Sequence, residues 1–518
     1  MLAPQLPTKI PSHRADLVNN DEQERPTTNN NTDKTMDLTD GAAVAPLRPH
    51  GWYHPHKTWL DIAMSLLLPL VFNLRALARG GASPEASHEI IAEFRTKFYT
   101  FDKGTVTAMA AAWATQMECE GIVEHQQSLP LDPDLLHDWG LIESTMYNGT
   151  PSTNTNRDTD TSGNTDETCE TVPIVVRYPV SLFQGDSSNE SLQQETTTTI
   201  LADEKTNHGL MKATGPLDLS SIPLDVPIMI TFHGGGMNMG DAQYPLAMGT
   251  VTSALDGWEK QKQTQGSNKD DSSAATSTAT TKPFVVVISV EYRLSPENPF
   301  PAAIHDSLTV AKAVLDSHPQ RKIHFHGVSA GGNLATVAGL EIFRRYPGRV
   351  LSINANSPMF DPACNSDSYY LNSLSSGACP VEYLLWSWRA YLGTDHGVEN
   401  PSIVQEEPTD GPRGRTNEHI WNDKSSRWRK TLKHRRLIEP YVDLPKGLDR
   451  KNAPLFLVST NKADPLKDDG VRLVRALRKV GAQVRHVDAG GSHVAGNMFD
   501  RQALQDLEEG NAALLFGL

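Results

Sequence analysis

Seven short segments rich in β-branched residues recur along the chain, several of them apolar almost throughout, and they constrain its fold more than any other feature. The clearest reads Phe-Val-Val-Val-Ile at 284–288. A strand that is apolar on both faces must be covered on both faces, as in a parallel sheet flanked by helices. The sequence therefore predicts buried strands at 174–178, 226–232, 284–291, 322–327, 350–355, 454–459 and 483–487.

Helical patterns alternate with these strands. Leu473, Val474, Leu477 and Val480 form one apolar stripe, and Gly481 follows where a helix C-terminal cap is expected. Alternating strands and helices predict an α/β fold with a mostly parallel central sheet.

The remaining sequence predicts a leader, a helical region and several long loops. Residues 1–50 are rich in Asn, Thr, Asp and Pro without apolar periodicity, which predicts a disordered leader. Apolar spacing at 89–98 and 106–117 predicts a helical or cap region over 51–145. The main domain, 172–518, would contain long disordered polar inserts, because surface loops tolerate insertions. These inserts are expected at about 185–215, 261–282 and 404–437.

Charge and cysteine content exclude some functions. The net charge of -15 argues against a nucleic-acid partner, which would reward a cationic surface. The basic run at 427–436 is interpreted as a solvated face. No two of the four cysteines form a CxxC pair, so a zinc knuckle is not expected. Cys364 and Cys379 could form a disulfide, but two buried thiols are the favoured interpretation.

The N-terminal part bears on localisation. No basic segment runs directly into an apolar one, so no secretory signal is recognised and a cytoplasmic protein is expected. An apolar stripe at 59–74, interrupted by Pro69 and Asn73, is too short to span a bilayer. We interpret it as a core or cap helix; peripheral contact with a membrane or lipid surface is the alternative.

A candidate nucleophile lies in the pattern Gly327-Val328-Ser329-Ala330-Gly331, between a predicted strand and a predicted helix at 332–340. A sharp strand-to-helix turn holds a serine oxygen above the sheet, and the small flanking residues permit close approach. The alternative is a simple Gly/Ser turn, which the strand-turn-helix context disfavours.

A second motif, His233-Gly234-Gly235-Gly236, follows the predicted strand at 226–232. Glycines allow backbone N–H groups to face inward, where they can stabilise an oxyanion. The alternative is a phosphate-binding loop, but no Lys-Ser or Lys-Thr pair follows the glycines.

A general base and an orienting acid are expected downstream. His493 comes shortly after the last predicted strand, and Asp464 follows the strand before it. The chain order Ser329, Asp464, His493 is the order found in α/β-hydrolases. Asp361, which follows the strand at 350–355, is the rival candidate for the acid.

Five motifs follow one another along the chain: His-Gly-Gly-Gly at 233–236, Glu-Tyr-Arg-Leu-Ser-Pro-Glu at 291–297, Phe-Pro-Ala-Ala at 300–303 with Asp306, the segment 327–335, and Asp-Pro-Leu at 464–466. Together they resemble the hormone-sensitive-lipase family of α/β-hydrolases. The resemblance covers about residues 226–500, excluding the inserts.

The resemblance implies the α/β-hydrolase fold, esterase or lipase activity, and neither a cofactor nor a metal. It also implies an oxyanion hole made by the N–H groups of Gly235, Gly236 and Ala330. A helical cap would come from the N-terminal region and from 379–392. Val328 departs from the family, which commonly has an acidic or small polar residue there.

The expected function is hydrolysis of small-molecule or lipid-like carboxylic esters, with short- to medium-chain acyl groups, through Ser329, His493 and Asp464 and an acyl-enzyme. The alternatives are an acyltransferase or amide hydrolase with the same triad, or a non-catalytic small-molecule receptor. Oligomeric state does not follow from the sequence.

Overall fold

The fold is described from a computed structural model. It covers residues 103–142, 170–183, 200–201, 210–267, 282–372, 379, 381–393, 435–494 and 500–518. The predicted leader at 1–50, the apolar segment at 59–74, the helical pattern at 89–98 and most of the predicted inserts lie outside the described residues and stay predictions.

The described strands form a single sheet of ten. In chain order they are β1 (Ile122–Pro130), β2 (Thr171–Pro179), β3 (Ile200–Leu201), β4 (Leu210–Ala213), β5 (Ile228–Phe232), β6 (Val286–Val290), β7 (Ile323–Val328), β8 (Val350–Asn356), β9 (Leu455–Asn461) and β10 (Val484–Ala489).

The described helices flank this sheet. They are α1 (Lys103–Met117), α2 (Leu135–Asp138), α3 (Leu246–Ser267), α4 (Ala302–Asp316), α5 (Ala330–Arg345), α6 (Asp367–Leu371), α7 (Val381–Leu392), α8 (Lys467–Lys479) and α9 (Arg501–Phe516). None of them is long and apolar enough to cross a membrane.

The sheet is parallel over six adjacent strands and mixed over the other four. Its order is β10-β9-β8-β7-β5-β6-β2-β1-β4-β3. The six strands from β10 to β6 pair in parallel, whereas β2 pairs antiparallel with both β6 and β1. The chain leaves β5 on one side to form β6 and returns on the other side to form β7. In open α/β sheets, ligands bind at such a switch point, beyond the carboxyl ends of the strands.

The two faces of the central strands bury different clusters. In β5, Ile228 and Ile230 pack on one face among residues of α4 and α5, while Met229 packs on the other among residues of α1 and α3. All five β5 residues are buried. This two-sided burial explains why the apolar runs predicted the strands. All seven predicted strands are present, with ends shifted by a few residues.

The prediction of a helical or cap region over 51–145 is wrong for one segment near its C-terminal end. Residues Ile122–Pro130 form β1, which pairs residue for residue with β2. Only the first half of β1 is buried, and burial alternates from Gln126 onward. Its polar residues follow the two-residue period of a strand covered on one face. The helical prediction for 106–117 is confirmed by α1.

Two insert boundaries also need correction. Residues Leu210–Ala213, placed in the 185–215 insert, form β4 and pair in parallel with β1. The predicted 261–282 loop begins inside α3, which runs to Ser267. At its other end, Lys282 lies 2.9 Å from a carboxylate oxygen of Glu118 and 2.8 Å from one of Glu259. This insert is therefore anchored at both ends.

The 404–437 insert ends earlier than predicted, because its last residues belong to the core. Leu437 is fully buried. Arg435 pairs with Glu439, and Arg436 Nε lies 2.8 Å from Glu341 Oε1. The interpretation of the basic run as a solvated face is wrong for these two arginines, which neutralise carboxylates that are themselves buried.

Cys364 and Cys379 are both buried thiols, so the disulfide alternative is wrong. Burial raises the pKa of both thiols well above the ordinary value, and nearby carboxylates raise it further. Both residues therefore act as small apolar groups in the core.

Candidate active site

Ser329 occupies a strained turn between β7 and α5. Its φ of 57° lies in the left-handed region, a conformation that is energetically unfavourable for any residue with a side chain. Hydrogen bonds hold the turn: the Ser329 N–H donates to the carbonyl oxygen of Asn356 over 2.8 Å, and its carbonyl oxygen accepts from the N–H of Met359 over 3.2 Å. The side chain is thereby held at the start of α5.

Glycine at position 331 allows this turn to lie against the neighbouring strand end. A β-carbon at Gly331 would stand 2.1 Å from the carbonyl oxygen of Phe232 and 2.4 Å from that of His233. Both contacts involve backbone atoms, which cannot swing away. Only glycine therefore fits this geometry, as the motif predicts.

His493 and Asp464 form a directly bonded pair. His493 Nδ1 lies 2.8 Å from Asp464 Oδ2, and the Asp464 side chain is almost fully buried. The other carboxylate oxygen, Oδ1, accepts a hydrogen bond from the N–H of Leu466 over 2.9 Å. Since an ionised carboxylate only accepts, neutral His493 carries its proton on Nδ1 and keeps Nε2 as a proton acceptor.

The loops that carry this pair are tied together. The N–H of Ala463, one residue before Asp464, donates to the carbonyl oxygen of Gly491, two residues before His493, over 2.9 Å. Asn372 Nδ2 donates to the carbonyl oxygen of Asp464, also over 2.9 Å. The relative position of the acid and the histidine is therefore set by the backbone as well as by their own hydrogen bond.

Asp361, the rival candidate for the acid, forms its hydrogen bonds with other residues. Its Oδ2 accepts from Arg472 Nη1 over 3.1 Å, and its Oδ1 accepts from the N–H of Ala363 over 3.0 Å. Among the described contacts, none joins it to His493. The structure thus brings Asp464, and not its rival, to the histidine.

The nucleophile turn and the acid–base pair lie on the same side of the sheet, at the carboxyl ends of its parallel strands. Ser329 follows β7, Asp464 follows β9 and His493 follows β10, and the strands β7 to β10 are parallel neighbours. Within the described contacts, Ser329 Oγ has no hydrogen bond to His493. Catalytic hydrogen bonds in ligand-free enzymes are often long and tighten in the substrate complex.

The loop after β5 lies against the nucleophile turn. A β-carbon at Gly234 would stand 3.5 Å from Ser329 Cβ. His233 anchors the loop: its Nδ1 lies 2.8 Å from the carbonyl oxygen of Gly234, and its ring stacks on Tyr292 with ring centroids 4.1 Å apart. Burial lowers the pKa of His233 to about 4, so the ring is neutral and structural.

The three predicted oxyanion donors border this loop and turn. Gly235 has a φ of 112°, a region that side chains rarely adopt, and Gly236 follows with a φ of 60°. Ala330 is the first residue of α5, where N–H groups have no partner within the helix. In the described part of the chain, none of these three N–H groups donates to a protein acceptor. All three are therefore free to serve a ligand.

Two side chains beside the glycine loop were not predicted. Asn238 is fully buried and donates from Nδ2 to the carbonyl oxygen of Gly236 over 2.9 Å. The hydroxyl of Tyr383, on α7, lies 2.8 Å from the carbonyl oxygen of Gly235. A polar residue two positions after a glycine loop was a usable signal for Asn238. Nothing local signals Tyr383, because its contact depends on where α7 packs.

The departure at Val328 is accommodated by packing. This side chain is almost fully buried at the end of β7 and replaces the polar group common in the family with an apolar one. It touches none of the hydrogen bonds of the acid–base pair.

Comparison with known proteins supports the α/β-hydrolase fold. The family model described as alpha/beta hydrolase fold matches residues 266–411, which include Ser329 but neither His233 nor His493. Versiconal hemiacetal acetate esterase of Emericella nidulans is 45% identical over 74 residues, which is 14% of this chain and 26% of the relative. Lipase 2 of a Moraxella species is 27% identical over 271 residues, 50% of this chain and 52% of the relative.

Arylacetamide deacetylase of Oryctolagus cuniculus is 28% identical over 240 residues, which is 39% of this chain and 57% of the relative. The chain thus spans between about a quarter and three fifths of the length of these relatives. Fold, motifs and relatives agree that the chain is similar to the hormone-sensitive-lipase-like α/β-hydrolases.

Proposed function

We propose that this protein is a carboxylic-ester hydrolase with Ser329 as nucleophile, His493 as general base and Asp464 as the orienting acid. The observation that carries the proposal is the 2.8 Å hydrogen bond between His493 Nδ1 and Asp464 Oδ2. This pair follows the carboxyl ends of β9 and β10, and Ser329 occupies its strained turn at the carboxyl end of β7. A receptor without catalysis would have no need of this bonded pair.

The mechanism follows from these positions. As Ser329 Oγ attacks the ester carbonyl, its proton passes to His493 Nε2, and the Asp464 carboxylate stabilises the imidazolium. The N–H groups of Gly235, Gly236 and Ala330 would receive the oxyanion. The C–O bond to the alcohol then breaks, and His493 protonates the leaving oxygen. Water attacks the acyl-enzyme in the same way, regenerates Ser329 and releases the acid.

The proposal is tested by labelling and by removal of the nucleophile. A serine-directed fluorophosphonate should modify Ser329, and peptide mapping by mass spectrometry should find no second site. Ser329→Ala should lower kcat for a p-nitrophenyl ester by about 10⁴-fold or more, with the unfolding midpoint near wild type. Labelling that persists in Ser329→Ala would place the nucleophile elsewhere.

Amide hydrolysis is a second candidate because one relative is named a deacetylase of an arylacetamide. The same groups would serve, with His493 protonating a leaving amine instead of an alcohol. A matched pair of p-nitrophenyl acetate and p-nitroacetanilide separates the two activities. We expect a much larger kcat/KM for the ester. A comparable or larger value for the anilide would assign the chain to amide substrates.

A further inference from the structure

The carbonyl oxygen of Gly235 is held by three donors. The backbone N–H groups of Asn238 and Met239 each lie 3.0 Å from it, and the hydroxyl oxygen of Tyr383 lies 2.8 Å from it. Two of these donors belong to the glycine loop itself. The third comes from α7, the helix that the family resemblance assigns to the cap.

This carbonyl shares a rigid unit with a candidate oxyanion donor. The Gly235 C=O and the Gly236 N–H are the two ends of one planar trans peptide and point in opposite directions. Whatever fixes the Gly235 oxygen therefore also fixes the direction of the Gly236 N–H. Glycines on both sides leave this peptide unusually free to rotate, since neither has a side chain to restrict it. The hydrogen bonds must supply the restriction.

The next peptide is held by the same network. Asn238 donates from Nδ2 to the Gly236 carbonyl oxygen, which leaves its Oδ1 facing Tyr383 at 2.7 Å. A tyrosine hydroxyl has one proton, so Tyr383 shares it between Asn238 Oδ1 and the Gly235 carbonyl oxygen. Tyr383 thus contacts the Gly235 carbonyl oxygen, which belongs to the first peptide, and the Asn238 side chain, which holds the carbonyl oxygen of the second.

The packing of α7 places this hydroxyl accurately. A β-carbon at Gly236 would stand 2.7 Å from the Tyr383 hydroxyl and 2.6 Å from Ser387 Oγ, one turn further along α7. The helix therefore lies directly on the glycine loop. Further along the same helix, Trp388 and Tyr391 are fully buried, so α7 is anchored independently of Tyr383.

We propose that Tyr383 is a positioning residue that orients the Gly236 N–H towards the oxyanion, so that docking of the cap helix and transition-state stabilisation are coupled. This inference rests on the proposed function, because it requires Gly236 to be an oxyanion donor. Tyr383 forms no bond with the reacting atoms. Its effect is on the fraction of time that the donor points at the developing charge.

The test removes only the hydroxyl. Tyr383→Phe keeps the ring and leaves the Gly235 carbonyl with its two backbone donors. We expect kcat per active site to fall about tenfold, less than the roughly 100-fold or greater loss on removal of an oxyanion donor, with KM nearly unchanged. Affinity for a trifluoromethyl ketone, whose adduct with Ser329 carries an oxyanion, should fall by the same factor as kcat/KM. Fluorophosphonate titration counts the active sites and corrects for any unfolded fraction.

Tyr391→Phe is the matched control. It removes a buried hydroxyl from the same helix that has no hydrogen-bond partner among the described residues, so kcat and ketone affinity should stay at wild-type values.

The outcomes distinguish failure of the positioning role of Tyr383 from failure of the proposed ester-hydrolase function. A Tyr383→Phe enzyme with wild-type kcat and ketone affinity would refute the positioning role, as would a change confined to KM, which would make Tyr383 a substrate contact. A wild-type protein that neither hydrolyses esters nor reacts with the fluorophosphonate would overturn the proposed function itself.

Discussion

His493 donates a hydrogen bond from Nδ1 to Asp464 Oδ2, while Leu466 N–H occupies the other oxygen of the same carboxylate. The carboxylate therefore cannot rotate, and it selects one tautomer of the ring. In Asp464→Asn the amide can present its N–H to His493, which would favour the tautomer with the proton on Nε2. That tautomer cannot accept the serine proton. We expect kcat to fall by about 10⁴-fold, measured on a p-nitrophenyl ester with the site count from Ser329 titration.

Asp361→Asn is the control for that experiment. Asp361 pairs with Arg472 and not with His493. Burial, and then the Asp361 charge, raise the pKa of the neighbouring Asp469 well above its ordinary value. Removing the charge at 361 should let Asp469 ionise more readily and partly replace the lost partner of Arg472. We expect catalysis per site to stay near wild type. An inactive, well-folded Asp361→Asn would show that the acid has been misassigned.

The close approach at Gly331 predicts a large structural cost for one added methyl group. In Gly331→Ala the new β-carbon would press on two backbone carbonyl oxygens, those of Phe232 and His233. We expect a loss of at least about 3 kcal/mol in the free energy of unfolding. Gly249→Ala, in α3, is the control: its β-carbon would meet only the terminal methyl of Met109, at 3.3 Å. Helix propensity there favours alanine by up to about 1 kcal/mol. Equal losses in denaturant unfolding of the two variants would contradict this account of the turn.

The revised bounds of the 261–282 insert predict which part can be removed. Residues 268–281 are polar and of low complexity, so a short Gly/Ser linker in their place should leave the unfolding midpoint near wild type. Replacement of all of 261–282 should lower it, because the change also shortens α3 and removes Lys282. That lysine donates to the carbonyl oxygen of Gln116 over 2.6 Å, besides pairing with Glu118 and Glu259. Lys282→Met measures the lysine's share. A midpoint that falls equally for both replacements would mean that 268–281 itself packs on the domain.

The sheet centre was predictable because burial on both faces leaves a mark in the sequence. The segment at 284–288 could hardly lie anywhere but between two helical layers. β1 and β4 were missed for the opposite reason: half of β1 is exposed and polar, and β4 is four residues long. Neither carries a continuous apolar run, so pairing with neighbouring strands decides their conformation.

The candidate site also contains residues that the sequence predicts and residues that it does not. Each member of the triad, Ser329, Asp464 and His493, follows a predicted strand. Because parallel strands end on the same side of the sheet, chain order was enough to predict that the acid and the histidine lie together. Tyr383 is separated from Gly235 by 148 positions in the chain. Arg436 is likewise separated from Glu341 by 95 positions. Such contacts depend on how whole helices pack, and no local pattern in the sequence encodes that.

Three buried histidines predict how stability depends on pH. Burial lowers the pKa of His233, His324 and His326 to about 4, from about 6.5 in an unfolded chain. Between these values the unfolded chain binds protons that the folded chain does not, so the free energy of unfolding should fall as the pH drops from 6.5 to 4. Glu291 opposes this, since burial raises its pKa to about 7 and the folded state holds its proton.

One histidine can be isolated by difference. His324 Nδ1 lies 2.8 Å from Ser352 Oγ, and Asn can keep a polar atom near that position without titrating. Relative to wild type, His324→Asn should lose stability less steeply between pH 6.5 and 4, with unfolding taking up about one proton fewer. Urea unfolding at half-unit pH steps gives both slopes. Identical pH dependence in His324→Asn and wild type would mean that His324 is protonated to the same extent in the folded and the unfolded chain. The assignment of a neutral, buried ring to His324, the second residue of β7, would then be wrong.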